Sequence, residues 1–277
     1  MPRPDAGAVA DGAGADPQRR GAPRADAAWL ARATQVELAD GRRLVFGGGT
    51  DRAVLWDGDA ATELAPLPAV SDRATATLLE DGRVLIAGGL APRAVDDPDA
   101  DADADGPDDA TAAALLWSEA DGFVALPAMT GARVGHTATR LASGDVLVTG
   151  GEDADDGMSP VATAELFIVE RSAWRPVGAM EVARFGHTAT LLPDGRVVII
   201  GGEGGDLGTT DVVEVWDAAT GAFTVAAHLR TSRLGHAVEV ESAHRVVVRG
   251  GTSIDPPDEG PPVHTELADD AETVELP

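Results

Sequence analysis

An all-β propeller is the fold this sequence predicts, and three observations predict it. A double glycine closes an apolar strand five times, at Gly47-Gly48, Gly88-Gly89, Gly150-Gly151, Gly201-Gly202 and Gly250-Gly251. The second glycines lie 41, 62, 51 and 49 residues apart. A period near fifty that carries several strand signals indicates a propeller rather than one folded-over sheet. The first half of each unit also aligns without gaps: Arg133-Val-Gly-His-Thr-Ala-Thr and Arg184-Phe-Gly-His-Thr-Ala-Thr stand in the same register as Ala74-Thr-Ala-Thr.

The elements follow in order. Residues 1–28 are rich in Ala, Asp, Gly and Pro, lack apolar periodicity, and are expected to be disordered. Met1-Pro-Arg-Pro lacks the apolar core of a secretory signal. The stretch after it resembles the flexible stalks that follow export or anchor signals in bacterial surface proteins, so an extracytoplasmic location is expected. Trp29 precedes the first unit, outside the repeated aromatic register, and serves either to staple the entering chain or as a stacking platform.

The propeller is expected over 29–277, in units of about 30–70, 71–130, 131–180, 181–230 and 231–277. Each unit opens with two strands joined by a tight turn, signalled by Asp-Gly at 40–41, 81–82 and 194–195. The second strand is apolar at consecutive positions, as in Val197-Val198-Ile199-Ile200, which marks burial on both faces. A third strand ends in Trp56, Trp117, Phe167 or Trp216, and a fourth carries Phe123, Trp174 or Phe223. Four strands per unit is the count of a propeller blade. The last unit is eroded, with Ala268 expected at the aromatic position and no closing Trp or Phe.

Taken together, the R-x-G-H motif, the double glycine and the spaced aromatic pair resemble kelch repeats over roughly residues 30–277. That resemblance implies four-stranded kelch-type blades, of which five are visible, although kelch propellers usually have six or seven. It also implies a ligand-facing mouth built from residues just after the double glycine and two places beyond the arginine of R-x-G-H. By register these are Glu152 and Glu203 for the first position, and Arg32 and Arg73 for the second, where units three to five have glycine. Arg249 stands out as a charge where other units have Phe46, Ala87, Thr149 or Ile200. The expected mouth carries arginines from the first two blades and carboxylates from the third and fourth.

Residues that return at the same register in unit after unit do the same work in each. His136, His187 and His236 are expected to be buried, with ring nitrogens bonding to backbone of the adjacent strand or blade, because equivalent positions on three blades are too far apart to converge on one ion at about 2 Å. Arg133, Arg184 and Arg233 are expected to hold carbonyls or carboxylates between blades. The second unit carries an acidic insert at 95–110, where Asp101-x-Asp103-x-Asp105-Gly106 matches the first half of a calcium loop. Position twelve of that loop is Ala112 rather than a bidentate glutamate, so the alternatives are a weak Ca²⁺ site and an acidic loop without metal. No other cofactor is expected.

Composition narrows the function. Asp plus Glu number 47 against 21 basic residues, a formal charge of −26, which repels phosphate backbones and excludes a nucleic-acid role. All basic residues are arginine, and Lys, Asn, Tyr and Cys do not occur, which reads as GC-rich coding bias or as a salt-adapted surface. No apolar run is long enough for a membrane helix. Without Cys or Tyr, the cross-linked radical chemistry of copper oxidases with kelch-like propellers is excluded. The expected function is a non-catalytic, monomeric binding scaffold for a protein partner in preference to a glycan. The alternative is a sugar mutarotase or epimerase using Arg and Glu in the axial channel.

Overall fold

A computed structural model describes residues 27–68, 72–91, 109–153, 159–205, 208–256 and 262–277. Most of the N-terminal segment and the half calcium loop at Asp101, Asp103 and Asp105 lie outside the described residues.

Among the described residues the fold is chiefly β, with a short helix, α1 (Ala27–Arg32), and a 3₁₀ turn at Val169–Arg171. Sheet one is formed by β1 (Ala33–Glu37), β2 (Arg43–Gly47), β3 (Ala53–Asp57) and β4 (Ala60–Glu63). Sheet two has β5 (Thr75–Leu78), β6 (Val84–Ala87), β9 (Ala114–Ser118) and β10 (Gly122–Ala125), with a ribbon β7 (Leu90–Ala91) and β8 (Asp109–Ala110) between β6 and β9. Sheet three has β11 (Thr137–Arg140), β12 (Val146–Thr149), β15 (Ala164–Ile168) and β16 (Ala173–Pro176), with a ribbon β13 (Glu152–Asp153) and β14 (Ser159–Pro160). Sheet four is β17 (Thr188–Leu191), β18 (Val197–Ile200), β19 (Val212–Asp217) and β20 (Ala222–His228). Sheet five has three strands, β21 (Ala237–Ser242), β22 (Arg245–Arg249) and β25 (Ala271–Glu275), and a ribbon β23 (Thr252–Asp255) and β24 (Val263–Glu266). All pairings are antiparallel meanders.

In sheet five, Val274 pairs with Val246 as Trp216 pairs with Val197, so Val274 rather than Ala268 takes the aromatic position. The β23–β24 ribbon lengthens the loop after Gly251 and shifts the third strand downstream of where a gapless alignment puts it.

The sheets pack face to face in chain order, a propeller-like arrangement. Alternate residues of each second strand point to opposite neighbours, so those strands are apolar throughout. Leu44, Phe46 and Leu55 meet Val84, Ile86 and Trp117 of sheet two. Leu85 and Ala87 meet Val146, Val148 and Phe167. Leu147 and Leu166 meet Val197, Ile199 and Trp216, while Val198, Ile200 and Val213 meet Val246, Val248 and Val274.

The two outward faces differ. On sheet one, Val45 and Val54 are covered by Trp29 of α1, whose Nε1–H donates to the Gly47 carbonyl at 2.7 Å while the Arg52 guanidinium lies 4.3 Å from the ring centre. Trp29 is 7% exposed and therefore staples the entering chain. On sheet five the outward face is charged and exposed: Arg245 pairs with Glu241 and Glu275, and Arg249 with Glu239.

Recurring polar residues hold the sheets. Arg133 donates to the Gly150 carbonyl at 2.9 Å and to Glu165 at 2.9 Å; Arg184 binds Gly201 and Glu214, and Arg233 binds Gly250 and Asp270. These guanidinium contacts stay within one sheet rather than crossing between sheets. The cross-sheet link is the arginine's backbone carbonyl, which accepts the N–H of the preceding sheet's second glycine, as in Gly89 to Arg133 at 2.9 Å. That approach leaves no room for a side chain: a Cβ on Gly88 would lie 2.5 Å from the Arg133 carbonyl oxygen and 2.6 Å from the His136 ring. The histidines bridge inner strands of neighbouring sheets, and their partners are threonine hydroxyls rather than backbone: Thr75–His136, Thr137–His187 and Thr188–His236 share hydrogen bonds at 2.9–3.0 Å.

Candidate functional site

The R-x-G-H turns and the double glycines lie at the same end of the sheets, joined by short bridges. Asp72 pairs with Leu90, Val134 with Glu152, Phe185 with Glu203, and Leu234 with Thr252. The ribbons β7–β8, β13–β14 and β23–β24 rise from this end because each continues the loop after a double glycine. The residues expected at the mouth are placed by this register.

Arg73 occupies the position held by Gly135, Gly186 and Gly235 in the next three sheets. Those glycines have φ between 62° and 67°, and Arg73 has φ 55°, in the left-handed region that L side chains avoid. For a residue with a Cβ this conformation costs about 1–2 kcal/mol. The Arg73 side chain is exposed at the turn and its charge acts on Glu152.

Glu152 opens β13 and Glu203 follows Gly202, and both are partly buried. Burial pushes the pKa of Glu152 upward; the Arg73 charge opposes that shift, and the Glu203 carboxylate adds to it. Burial likewise pushes Glu203 up, against the opposing influence of His264 on β24. Arg73, Glu152, Glu203 and His264 thus form an electrostatically connected series contributed by sheets two, three, four and five. Both carboxyls therefore hold a proton more readily than an exposed glutamate.

Arg32 joins this end from α1, but its guanidinium is engaged, bonding Asp72 at 3.0 Å. It links sheet one to sheet two, with Asp72 buried beneath it. Arg249 is not brought to the group. It lies on the outward face of sheet five against Glu239, because the position that faces the next sheet in the other units has no following sheet to face.

Three residues at this end escape a reading by glycine register. Asp72 stands where the other units have Val134, Phe185 and Leu234, so a charge in an apolar register is the signal that finds it. Phe185, half-buried, pairs with Glu203 through its backbone, and its ring lies beside Gly135 of the preceding sheet, 3.6 Å from where a Cβ there would stand. His264 belongs to a ribbon with no counterpart motif and is reached only through tertiary structure. Among the described residues, no group of three or more His, Cys, Asp and Glu side chains is arranged to hold a metal ion, and no helix is long and apolar enough to cross a membrane.

No known sequence family and no curated protein matches this chain. Solved structures do match, among them one titled "Structure of YjhT". It is 16% identical, with a TM-score of 0.60 over 81% of this chain and 73% of that one. At that identity the similarity is one of fold.

Proposed function

We propose that the chain is a set of five kelch-type blades arranged as in part of a propeller. It acts as a binding module, taking a polypeptide partner at the glycine-turn end through Arg73, Glu152 and Glu203. The observation that carries this reading is the backbone of Arg73. Three equivalent turns use glycine, and the one that uses arginine does so at a conformational cost, at a position whose charge acts on the partly buried Glu152. Strain of this kind persists where a side chain is needed for a task other than folding. Among the described residues one aromatic, Phe185, lies at this end beside Gly135, whereas Trp117, Phe167 and Trp216 are buried between sheets. That favours a polypeptide partner over a glycan stacked on several rings. Four sheets contribute loops to this end, as rigid scaffolds do for recognition surfaces.

A second reading has one observation in its favour: the two carboxyls with raised pKa suit proton transfer to and from a sugar, as in an anomer-interconverting enzyme. Titration of peptide and saccharide panels, followed by the NMR signals of Arg73, Glu152 and Glu203, tests both. Shifts with peptides that vanish in Arg73→Gly support the binding module. Accelerated anomer exchange with a saccharide, lost in Glu203→Gln, selects the second reading. Silence from both panels overturns both.

A further inference from the structure

A different part of the molecule is open where its internal repeats are closed. The outer rims of successive sheet interfaces are equivalent, and two of them are sealed by this chain's own atoms. Between sheets two and three, Trp174 of β16 lies in the apolar cluster with Phe167 and Leu126. Its ring centre is 5.0 Å from that of Phe167, and its Nε1–H donates to the Pro127 carbonyl at 2.9 Å. Between sheets three and four, Gly178 donates its N–H to the Gly221 carbonyl at 3.0 Å, and a Cβ on Gly178 would lie 2.8 Å from that oxygen. Backbone meets backbone there and the slot is shut.

Between sheets one and two Phe123 packs in the apolar cluster with Leu55, Leu64 and Trp117 but its side chain carries no N–H to donate, and among the described residues no backbone pair closes the rim. Leu64, Leu126 and Val177 each donate their N–H to the third strand of their own sheet, which puts Ala65 in register with Pro127 and Gly178. The pairing Phe123–Trp117 puts Phe123 in register with Trp174. A cavity of about 280 Å³ opens at this point, walled by Leu55, Leu64, Trp117 and Phe123 and bordered by Ala65 and Gly122. Its mouth is fixed by the Arg42–Glu119 ion pair at 2.6 Å, which ties the inner hairpin turn of sheet one to the outer turn of sheet two. The volume lies at the low end of ligand cavities, room for a ring system rather than a large ligand.

We propose that this slot binds a flat heteroaromatic ring bearing an N–H donor. The ring lies against Phe123, and its N–H is donated to the Ala65 carbonyl, the contact that Trp174 makes with Pro127 and that Phe123 has no side-chain N–H to make. Trp117 and Phe123 supply the aromatic contacts, and the Ala65 carbonyl supplies orientation, as the Pro127 carbonyl does for Trp174. The site is separate from Arg73, Glu152 and Glu203 and stands independently of the function proposed for them.

The test is ¹⁹F NMR titration of the whole chain with 5-fluoroindole, N-methyl-5-fluoroindole and N-acetyl-5-fluorotryptophanamide. Saturable binding of 5-fluoroindole is expected, weakened at least about tenfold by N-methylation or by filling the slot in Phe123→Trp. Leu64→Trp is a second filling variant should the first misfold, and Arg73→Gly is expected to leave binding unchanged. If the amide binds as well, the slot receives a side chain of another polypeptide; if only the free ring binds, it receives a small molecule. Linear, non-saturating response, equal binding of the N-methyl compound, or binding that survives both filling variants overturns the proposal.

Discussion

Acid stability is where the histidine ladder makes its largest measurable claim. His136, His187 and His236 are buried at 5–6% exposure, and burial is the first cause of their depressed pKa values, reinforced by the arginine three residues earlier in each motif. His136 and His187 fall to about 3 and His236 to about 4, from an ordinary 6.5. The neutral ring is therefore the folded form, while the unfolded chain protonates near its ordinary value. Stability is complete above the unfolded pKa and is lost as pH falls through the window from 6.5 down to the depressed values. At about pH 5 the unfolded chain gains about 1.5 pH units of proton affinity per histidine, or about 2 kcal/mol each and about 6 kcal/mol for three. A loss of that size is comparable to the whole stability of an ordinary domain, about 5–15 kcal/mol. Glu152 and Glu203 act in the opposite sense: their raised pKa values add stability on acidification, but each is only partly buried and the contribution is smaller. Urea unfolding followed by tryptophan fluorescence at about pH 8, 6.5 and 5 measures the sum. The midpoint is expected to fall steeply below about pH 6.5, and the slope to flatten by about a third in His187→Gln. A midpoint that does not move between about pH 8 and 5 would refute the assignment of the ladder as neutral, buried rungs.

Three other outcomes are expected. Arg73→Gly should be more stable than Arg73→Ala by about 1 kcal/mol, because both remove the side chain but only glycine relieves the left-handed backbone; equal urea midpoints would contradict this. Glu214→Ala leaves the fully buried Arg184 guanidinium and the Glu181 N–H without their carboxylate, and is expected to cost about 3–5 kcal/mol in the same unfolding assay. Gly88→Ala places a methyl against the Arg133 carbonyl and the His136 ring, so sheets two and three must separate. Its thermal midpoint should drop by several degrees, whereas Gly82→Ala, whose Cβ meets nothing within 4 Å, pays only for its positive φ.

Much of the fold could be read from the chain because its determinants are local and repeated. The apolar runs, the Asp-Gly turns and the double glycines each mark a strand or its end through backbone geometry that needs no distant partner. Conservative roles for the recurring His and Arg followed from the same repetition. Register failed where spacing varies: the ribbon after Gly251 moved the third strand of sheet five to Ala271–Glu275, and Val274 displaced Ala268. It failed again for Arg249, whose position faces a neighbouring sheet in every other unit and faces outward in the last one.

The candidate site divides in the same way. A non-glycine residue in a glycine register and a carboxylate after a double glycine are visible in one dimension, so Arg73, Glu152 and Glu203 could be named from sequence. Whether those charges influence one another depends on how neighbouring sheets are placed, and the engagement of Arg32 by Asp72, the nearness of His264 and the ring of Phe185 depend on it too. The slot above Trp117 is a still more tertiary property, since it exists only by comparison with rims closed by Trp174 and by Gly178. Sequence by itself determined the strands, their order and the repeated staples, because hydrogen-bonding pattern and backbone freedom are written residue by residue. Tertiary structure alone decided which faces are covered, which charges meet and which interface stays open, because those depend on distances between units that periodicity does not encode.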